Sequence, residues 1–206
     1  MIPVNLPVVR AKKPSRPPAL CRFFGLLTAA AVPALAAAAP GAATPESAPA
    51  TTGCLATGDG FLRAHLAGAL NLDVDWPNRG TICEGESRPG DAGVRLSFRR
   101  QHASRPDLLF VFGLSSVREG APLRAAGANL TIIVQGTSAI YSTRSDTRCT
   151  VDSLRQQRLA EPHDYRVEVR GFCTQPAHAV RGDGDVFVSR FDFAGRVHYI
   201  LPGDDP

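Results

Sequence analysis

The sequence places an imidazole and two carboxylates where they could act together. Odd-numbered positions of the stretch 61–76 carry His65, Asn71, Asp73 and Asp75. Alternate residues of a β-strand share one face, so we expect Asp73 and Asp75 on the same side, about 6.5 to 7 Å apart. Their oxygens could hold a hard cation, or the two carboxylates could divide acid and base roles. The favoured interpretation is that these residues form the solvated side of the strand.

A second acidic pair occurs in the run 181–185, which reads Arg-Gly-Asp-Gly-Asp. Asp183 and Asp185 are the metal-site candidates of the chain, although known calcium loops supply more ligands and a distant glutamate. Glycine and aspartate are also the usual residues of tight turns. We therefore predict a turn here.

Other catalytic and metal-binding patterns are missing from the sequence. The stretch 113–117 lacks the closing glycine of a nucleophile elbow, and there is no Ser-x-x-Lys motif. The five histidines are scattered, with none two or four positions from another, which argues against a zinc centre. The sequence thus predicts no catalytic residue and no cofactor.

Arginine supplies every positive side chain after residue 13, because both lysines lie at positions 12 and 13. Arginine binds carboxylates and phosphates through paired hydrogen bonds and is enriched at interaction hot spots. Residues in two strands suggest an arginine-lined face, although exposed arginines are also expected without any function. The predicted ligand-binding residues are Arg95, Arg99, Arg166, Arg170, His65, Asp73 and Asp75.

Strands are the elements that must position these residues. Even positions of 61–76 are mostly apolar, which predicts one long strand or two strands in phase. Further strands are predicted at 81–83, 94–99, 108–114, 129–135, 139–143, 149–159, 165–173 and 186–193, the last with Phe187, Phe191 and Phe193 facing inward. This pattern favours an all-β antiparallel sandwich of about nine strands, with a small closed β-barrel as the alternative. The stretch 117–126 could hold one helical turn.

The N-terminal segment 1–38 has the features of a secretory signal peptide. Five basic residues precede an apolar run of 17 residues at 23–39, and the segment contains no acidic residue. The run is shorter than the roughly 18 to 20 residues that span a bilayer. We predict cleavage near 36–38 and a periplasmic or secreted protein without a transmembrane segment in the mature chain. An uncleaved signal would instead anchor the N-terminus in a membrane.

Signal removal changes the charge of the protein. The whole chain has a net charge of +4, but the mature chain keeps 18 basic against 19 acidic side chains, about −1. This balance argues against a nucleic-acid partner. Residues 39–53 have the composition of a flexible linker, and 54–206 has the length of a single domain.

An even number of cysteines follows the signal, and such a set in an exported chain predicts two disulfides. These are Cys54, Cys83, Cys149 and Cys173. Cys149 and Cys173 are equidistant from Glu161, which lies in a break with turn composition, so a hairpin folded there sets them opposite each other, within disulfide distance. Cys54 with Cys83 is the remaining pair, although sequence alone leaves the other connectivities open.

The same hairpin fixes further cross-strand neighbours. It predicts that Val151 lies opposite Gly171 and that Ser153 lies opposite Val169. These pairings test the register of the hairpin independently of the disulfide.

Two C-terminal segments, Val-Arg-Gly-Phe-Cys at 169–173 and Val-Ser-Arg-Phe-Asp-Phe at 188–193, resemble the last two strands of small exported bacterial β-sandwich proteins of unassigned function. Those proteins often carry a lipid-modified cysteine. Here Cys54 follows the apolar run by more than a dozen residues, too late for that modification. The resemblance transfers no catalytic residue.

The functional prediction is an exported, non-catalytic binding or accessory protein of the bacterial cell envelope. Its partner would be an envelope protein, a glycan or a lipid. One alternative is a periplasmic hydrolase or metal-dependent enzyme that uses His65, Asp73 and Asp75. Another is a small β-barrel carrier of a hydrophobic ligand.

Overall fold

The structure is a computed structural model that describes residues 53–88, 93–100 and 107–200. The predicted signal peptide at 1–38 and all but the last residue of the predicted linker at 39–53 lie outside the described residues. The described residues include no helix with the length and apolar character needed to cross a membrane.

The described part of the chain contains eleven β-strands. They are β1 (Phe61–Gly68), β2 (Leu72–Pro77), β3 (Thr81–Ser87), β4 (Gly93–Arg100), β5 (Leu108–Ser115), β6 (Ala126–Val134), β7 (Ile140–Ser142), β8 (Cys149–Arg158), β9 (Asp164–Cys173), β10 (Ala177–Ala179) and β11 (Asp185–His198). The predicted helical turn at 117–126 is wrong, because this segment is a loop that leads into β6.

The prediction of an all-β antiparallel sandwich with two disulfides is confirmed. Neighbouring strands run β2, β1, β11, β9, β8 in one layer and β3, β4, β5, β6, β7 in the other. The layers join where β8 pairs with β6 and where β11 meets β3 through a single parallel pair, His198 with Glu86. The strand β10 pairs with both β7 and β11. β2 pairs with β1 alone, so β2 forms an edge of the described sheet.

Aromatic side chains from the two layers meet in the core. Phe193 of β11 packs on Phe112 of β5 and on Phe98 of β4, with ring centroids 4.6 and 5.1 Å apart. Trp76 of β2 contacts Phe110 of β5 edge to face at 5.3 Å. Burying one such ring stabilises the folded state by about 1.5 to 3 kcal/mol, so these contacts hold the layers together.

The inward phase of β11 changes along the strand. Val186 and Val188 are buried, and Phe187 is 39 % exposed, so the prediction that Phe187 faces inward is wrong. The cause is a bulge, because β1 pairs with Val188 and then with Arg190, which leaves Ser189 without a partner in β1. An extra residue reverses the alternation of a strand, so Phe191 and Phe193 point inward as predicted.

Both predicted disulfides are present, with Cα separations of 4.7 Å for Cys54–Cys83 and 3.8 Å for Cys149–Cys173. Val151 lies opposite Gly171 as predicted. Two disulfides indicate an oxidising, non-cytoplasmic location.

The predicted pairing of Ser153 with Val169 is wrong. Asp152 is an extra, unpaired residue of β8, so Ser153 lies opposite Arg170 and Leu154 lies opposite Val169. A bulge of one residue shifts every later pair of the hairpin by one position.

Candidate ligand-binding cavity

A cavity of about 520 Å³ lies where the segment 53–57, the start of β3, the turn between β8 and β9, and the end of β11 meet. Small-molecule sites in proteins have volumes of about 300 to 1,000 Å³ and combine apolar walls with a few polar groups. The apolar lining consists of Leu55, Ala56, Ile82, Leu159, Ala160 and the Cys54–Cys83 disulfide. The polar side chains of the lining are Thr57, Glu84, Glu161, Asp164 and Arg196. The cavity therefore has the size and mixed character of a ligand site.

The segment 53–60 forms one wall of the cavity and is fixed by Asn78. The side-chain oxygen of Asn78 accepts hydrogen bonds from the backbone N–H groups of Leu55 at 2.7 Å and Gly60 at 3.0 Å. Its Nδ2 donates to the carbonyl of Leu55 at 3.1 Å. A Cβ on Gly60 would lie 2.6 Å from Asn78 Oδ1, so only glycine permits this close approach. One side chain and one disulfide thus hold the wall in place.

An ion-pair cluster ties the same wall to β9. Arg166 Nε lies 2.6 Å from Asp59 Oδ2, and Nη1 of Arg166 donates to Glu168 at 2.9 Å. A hydrogen bond from Thr57, together with the charge of Arg166, lowers the pKa of Asp59 against the opposing effect of burial. Partial burial alone would lower the pKa of Arg166, but the two carboxylates outweigh it and the pKa is raised. This cluster keeps the wall against the sheet at neutral pH.

Asp164 is the buried carboxylate of the cavity, with only 6 % of its side chain exposed. Its Oδ1 lies 2.7 Å from Nδ1 of His198, and Oδ2 lies 3.5 Å from Nε of Arg196. A buried charge is tolerated when it is paired, and these two side chains supply the pairing. Asp164 is the first residue of β9 and His198 the last of β11, so the pair also joins two strand ends.

The charge of the lining is unbalanced. Three carboxylates, those of Glu84, Glu161 and Asp164, face one guanidinium, that of Arg196. The exposed carboxylates of Glu84 and Glu161 form no ion pair within the described residues. The cavity therefore disfavours anions and suits a neutral or cationic molecule.

A hydrogen-bonded cluster fixes the loop between β5 and β6. Gln156 of β8 donates to the carbonyls of Arg118 at 2.7 Å and Ala121 at 2.9 Å, and it accepts from the hydroxyl of Tyr199 at 2.8 Å. Burial raises the pKa of Tyr199, so its hydroxyl remains protonated and can donate this hydrogen bond. The long loop is thus held against the sheet.

His65 and Asp73 come together on the outer face of the β1–β2 hairpin. They lie opposite each other, with 2.6 Å between Nδ1 and Oδ1, and Arg63 pairs with Asp75 at 3.1 Å in the next row. All four side chains are exposed and lie outside the lining of the cavity. Asp73 and Asp75 therefore share a face, as predicted, but each has its own basic partner.

The four predicted ligand-binding arginines lie in different layers. Arg95 and Arg99 are exposed on β4, and Arg95 lies opposite Glu86 beside a pocket of about 290 Å³. Arg166 and Arg170 are on β9, where Arg166 is only 15 % exposed because of its two carboxylate partners. The structure does not bring these two pairs of arginines together.

The candidate metal residues Asp183 and Asp185 lie between β10 and the start of β11. Gly182 and Gly184 have positive φ angles of 73° and 116°, which fits the predicted turn. Asp185 bonds to His178 with 2.7 Å between Oδ1 and Nδ1, and the side chain of Asp183 is exposed. Across the described residues, no three His, Cys, Asp or Glu side chains are grouped as a metal site.

Sequence reasoning missed the residues that build the cavity. Asp164 and His198 are 34 positions apart, and Asn78 is 23 positions from Leu55, so no local motif connects them. The one available signal was the cysteine pairing, which predicted that the segment at Cys54 meets β3. Comparison with profiles of known protein families, with curated protein sequences and with solved structures found no match. The resemblance to exported bacterial β-sandwich proteins stays a prediction.

Proposed function

We propose that this protein is an exported, non-catalytic binding protein of the bacterial cell envelope, and that its cavity holds a small, partly apolar ligand. The proposal includes cleavage of the signal peptide and release into the periplasm or the medium. The observation that carries it is the cavity of about 520 Å³ with apolar walls, a buried carboxylate and a disulfide in its lining. A preformed apolar cavity with few polar groups is the usual form of a small-molecule site.

The rigidity of the wall supports binding over a structural role. Asn78, the Cys54–Cys83 disulfide and the Asp59–Arg166 ion pair all fix the segment 53–60 before any ligand arrives. A binding site that is ordered in advance does not lose affinity to the ordering of its walls. The excess of carboxylates in the lining favours neutral or cationic ligands over fatty acids and other anions.

A neutral fluorescent probe, N-phenyl-1-naphthylamine, tests the cavity. We expect a saturable increase of its fluorescence with the protein purified from the oxidising compartment of an expressing bacterium. Ala160→Trp places an indole in the lining from an exposed turn and should abolish the increase. Ser138→Trp, in the exposed turn after β6 and outside the lining, is the matched control. Equal probe binding by both variants would refute the assignment of the cavity.

Export is tested separately from binding. Cell fractionation and N-terminal sequencing should find a chain that begins near residues 37–39 in the periplasm or the medium. Recovery of the uncleaved chain with free thiols from the cytosol would contradict the proposed location.

A further inference from the structure

A groove of about 480 Å³ lies on the outer face of the layer that contains β8, β9, β11 and β1. It is separate from the ligand cavity, with which it shares no lining residue. The charged side chains that line it are Arg63, Arg170, Arg190, Asp152 and Asp192. We infer that this groove binds an acidic sugar, meaning a hydroxylated ring that carries a carboxylate.

Two β-bulges flank the groove and one glycine forms its floor. Asp152 is the unpaired residue of the bulge in β8, and Arg190 directly follows the unpaired Ser189 of β11. Gly171 contributes only backbone to this floor, because its Cβ position faces the core, 2.5 Å from the buried ring of Phe191. Bulges redirect side chains and are frequent beside binding sites.

Charged residues alternate across four strands through the groove. Arg170 lies opposite Asp192, Asp192 opposite Arg63, and Arg63 opposite Asp75. Such a row stabilises the strand register. Arg63 has partners beside this row, since its Nε lies 3.1 Å from Asp75 and its guanidinium stacks on the ring of Phe61 at 4.8 Å. Pairing within this row gives Arg63 and Asp75 their partners, but other polar groups of the groove have no hydrogen-bond partner within the described residues.

Arg190 and Asp192 provide those unsatisfied groups. The guanidinium of Arg190 has no ion pair or hydrogen bond within the described residues. Asp192 Oδ1 is shielded from solvent and accepts no hydrogen bond there, and Nε of Arg170 lies 3.8 Å away. A buried oxygen without a partner, such as Asp192 Oδ1, has a cost that a ligand donor could remove, whereas the exposed guanidinium of Arg190 is hydrated and can exchange water for an anion. The ligand should present an anion to Arg190 and a hydroxyl donor to Asp192.

An aromatic ring beside these groups favours a sugar over a simple anion. Phe172 is 37 % exposed and lies two residues from Arg170, so both side chains project from the same face of β9. A pyranose ring offers C–H groups to an aromatic ring, hydroxyl donors to a carboxylate and, when oxidised to a uronate, a planar oxyanion that a guanidinium can bind through two hydrogen bonds. One acidic sugar residue therefore complements the two polar groups of the groove and the exposed ring of Phe172, which lies on the same face of β9 but outside the lining.

Titration of the ¹⁵N-labelled protein with D-glucuronate, D-glucose or acetate, followed by NMR, tests the inference. Glucuronate should cause saturable shifts of the amide signals of Gly171 and Phe191, which line the groove. Glucose lacks the anion and acetate lacks the hydroxyls, so each should bind at least about tenfold more weakly, the factor that one lost charge-assisted hydrogen bond produces.

Variants assign the binding to named side chains. Arg190→Gln should raise the dissociation constant of glucuronate about tenfold or more, for the same reason. Arg181→Gln removes another exposed arginine, from the turn before β11, and should leave the constant unchanged. Absence of saturable shifts with glucuronate, equal binding of acetate, or equal affinity of the Arg190→Gln variant would each overturn the inference. Because Arg190 is exposed, the spectrum of the variant should otherwise match that of the wild type.

Discussion

The two disulfides should have nearly equal effects on stability and different effects on ligand binding. Each bridge can be removed by replacing both of its cysteines with alanine, which leaves no free thiol behind. Cys54–Cys83 closes a loop with a sequence separation of 29, and Cys149–Cys173 one of 24. The chain-entropy relation for loop closure gives losses of about 3.6 and about 3.5 kcal/mol in the free energy of unfolding. Domains of this size are stabilised by about 5 to 15 kcal/mol, so both variants should remain folded.

Only the first bridge lines the cavity and restrains its wall. Its removal leaves the segment 53–60 held by Asn78 and by the Asp59–Arg166 ion pair, both of which are partly accessible to water. If the wall were ordered in one molecule out of ten, the apparent affinity for the probe would fall about tenfold. The Cys149–Cys173 bridge lies at the end of the β8–β9 hairpin that is far from the cavity-lining turn, so its removal should leave probe affinity unchanged.

Urea unfolding measures the stabilities, and titration with N-phenyl-1-naphthylamine measures the affinities, on the same two double variants. Equal losses of affinity in both would show that the disulfides act through global stability alone. Unchanged affinity in both would show that the wall needs no covalent restraint. Either outcome would refute our account of the segment 53–60.

Three further predictions concern the ion pairs and the core. Asp59→Asn should lower the free energy of unfolding at neutral pH by less than about 1 kcal/mol, because Asp59 is half exposed. A carboxyl group with a lowered pKa in the folded state stabilises the protein when it is ionised, and this contribution is lost as the pH falls through that pKa. Urea unfolding curves of the variant and the wild type should therefore converge at low pH. Phe193→Ala should cost about 3 to 5 kcal/mol, and Phe187→Ala, on the other phase of the same strand, less than about 1 kcal/mol; equal thermal shifts would contradict the bulge at Ser189. Asp73→Asn with Asp75→Asn should leave metal content and hydrolase activity at wild-type levels, whereas a loss of either would revive the enzyme hypothesis.

Most strands of the fold could be predicted, because several segments of the sequence alternate between apolar and polar residues. In β2, Asp73 and Asp75 alternate with the buried Val74 and Trp76. In β4, Arg95 and Ser97 alternate with buried apolar residues in the same way. The Cys149–Cys173 pair was also predicted from its distance to the turn. The pairs next to the turn, such as Arg158 with Tyr165, are one position off that symmetry, and the bulge at Asp152 compensates for the offset. The period of apolar residues is a local property of a chain, so sequence alone reveals it.

The bulges and the binding sites could not be predicted from the sequence, because they depend on contacts between distant parts of the chain. Asp152 and Ser189 resemble any other strand residue, yet each shifts the register of all the residues that follow. The cavity depends on Asp164, His198 and Asn78, whose proximity arises only when distant strands pair. Arg166 was predicted to bind a ligand, but its partner Asp59 lies 107 positions earlier and occupies its guanidinium. Which side chains become partners depends on the pairing of distant strands, and no local sequence pattern indicates that pairing.

The edge strand β2 has features that disfavour self-association of the protein. Edge strands present unpaired backbone groups that can recruit a strand from another molecule, the first step toward fibres. Here the strand is six residues long, bears Asp73 and Asp75 on its outer side and ends in Pro77, which has no N–H to donate. A second copy approaching in antiparallel orientation would set the carboxylates of one molecule near those of the other, which disfavours pairing of the two edges.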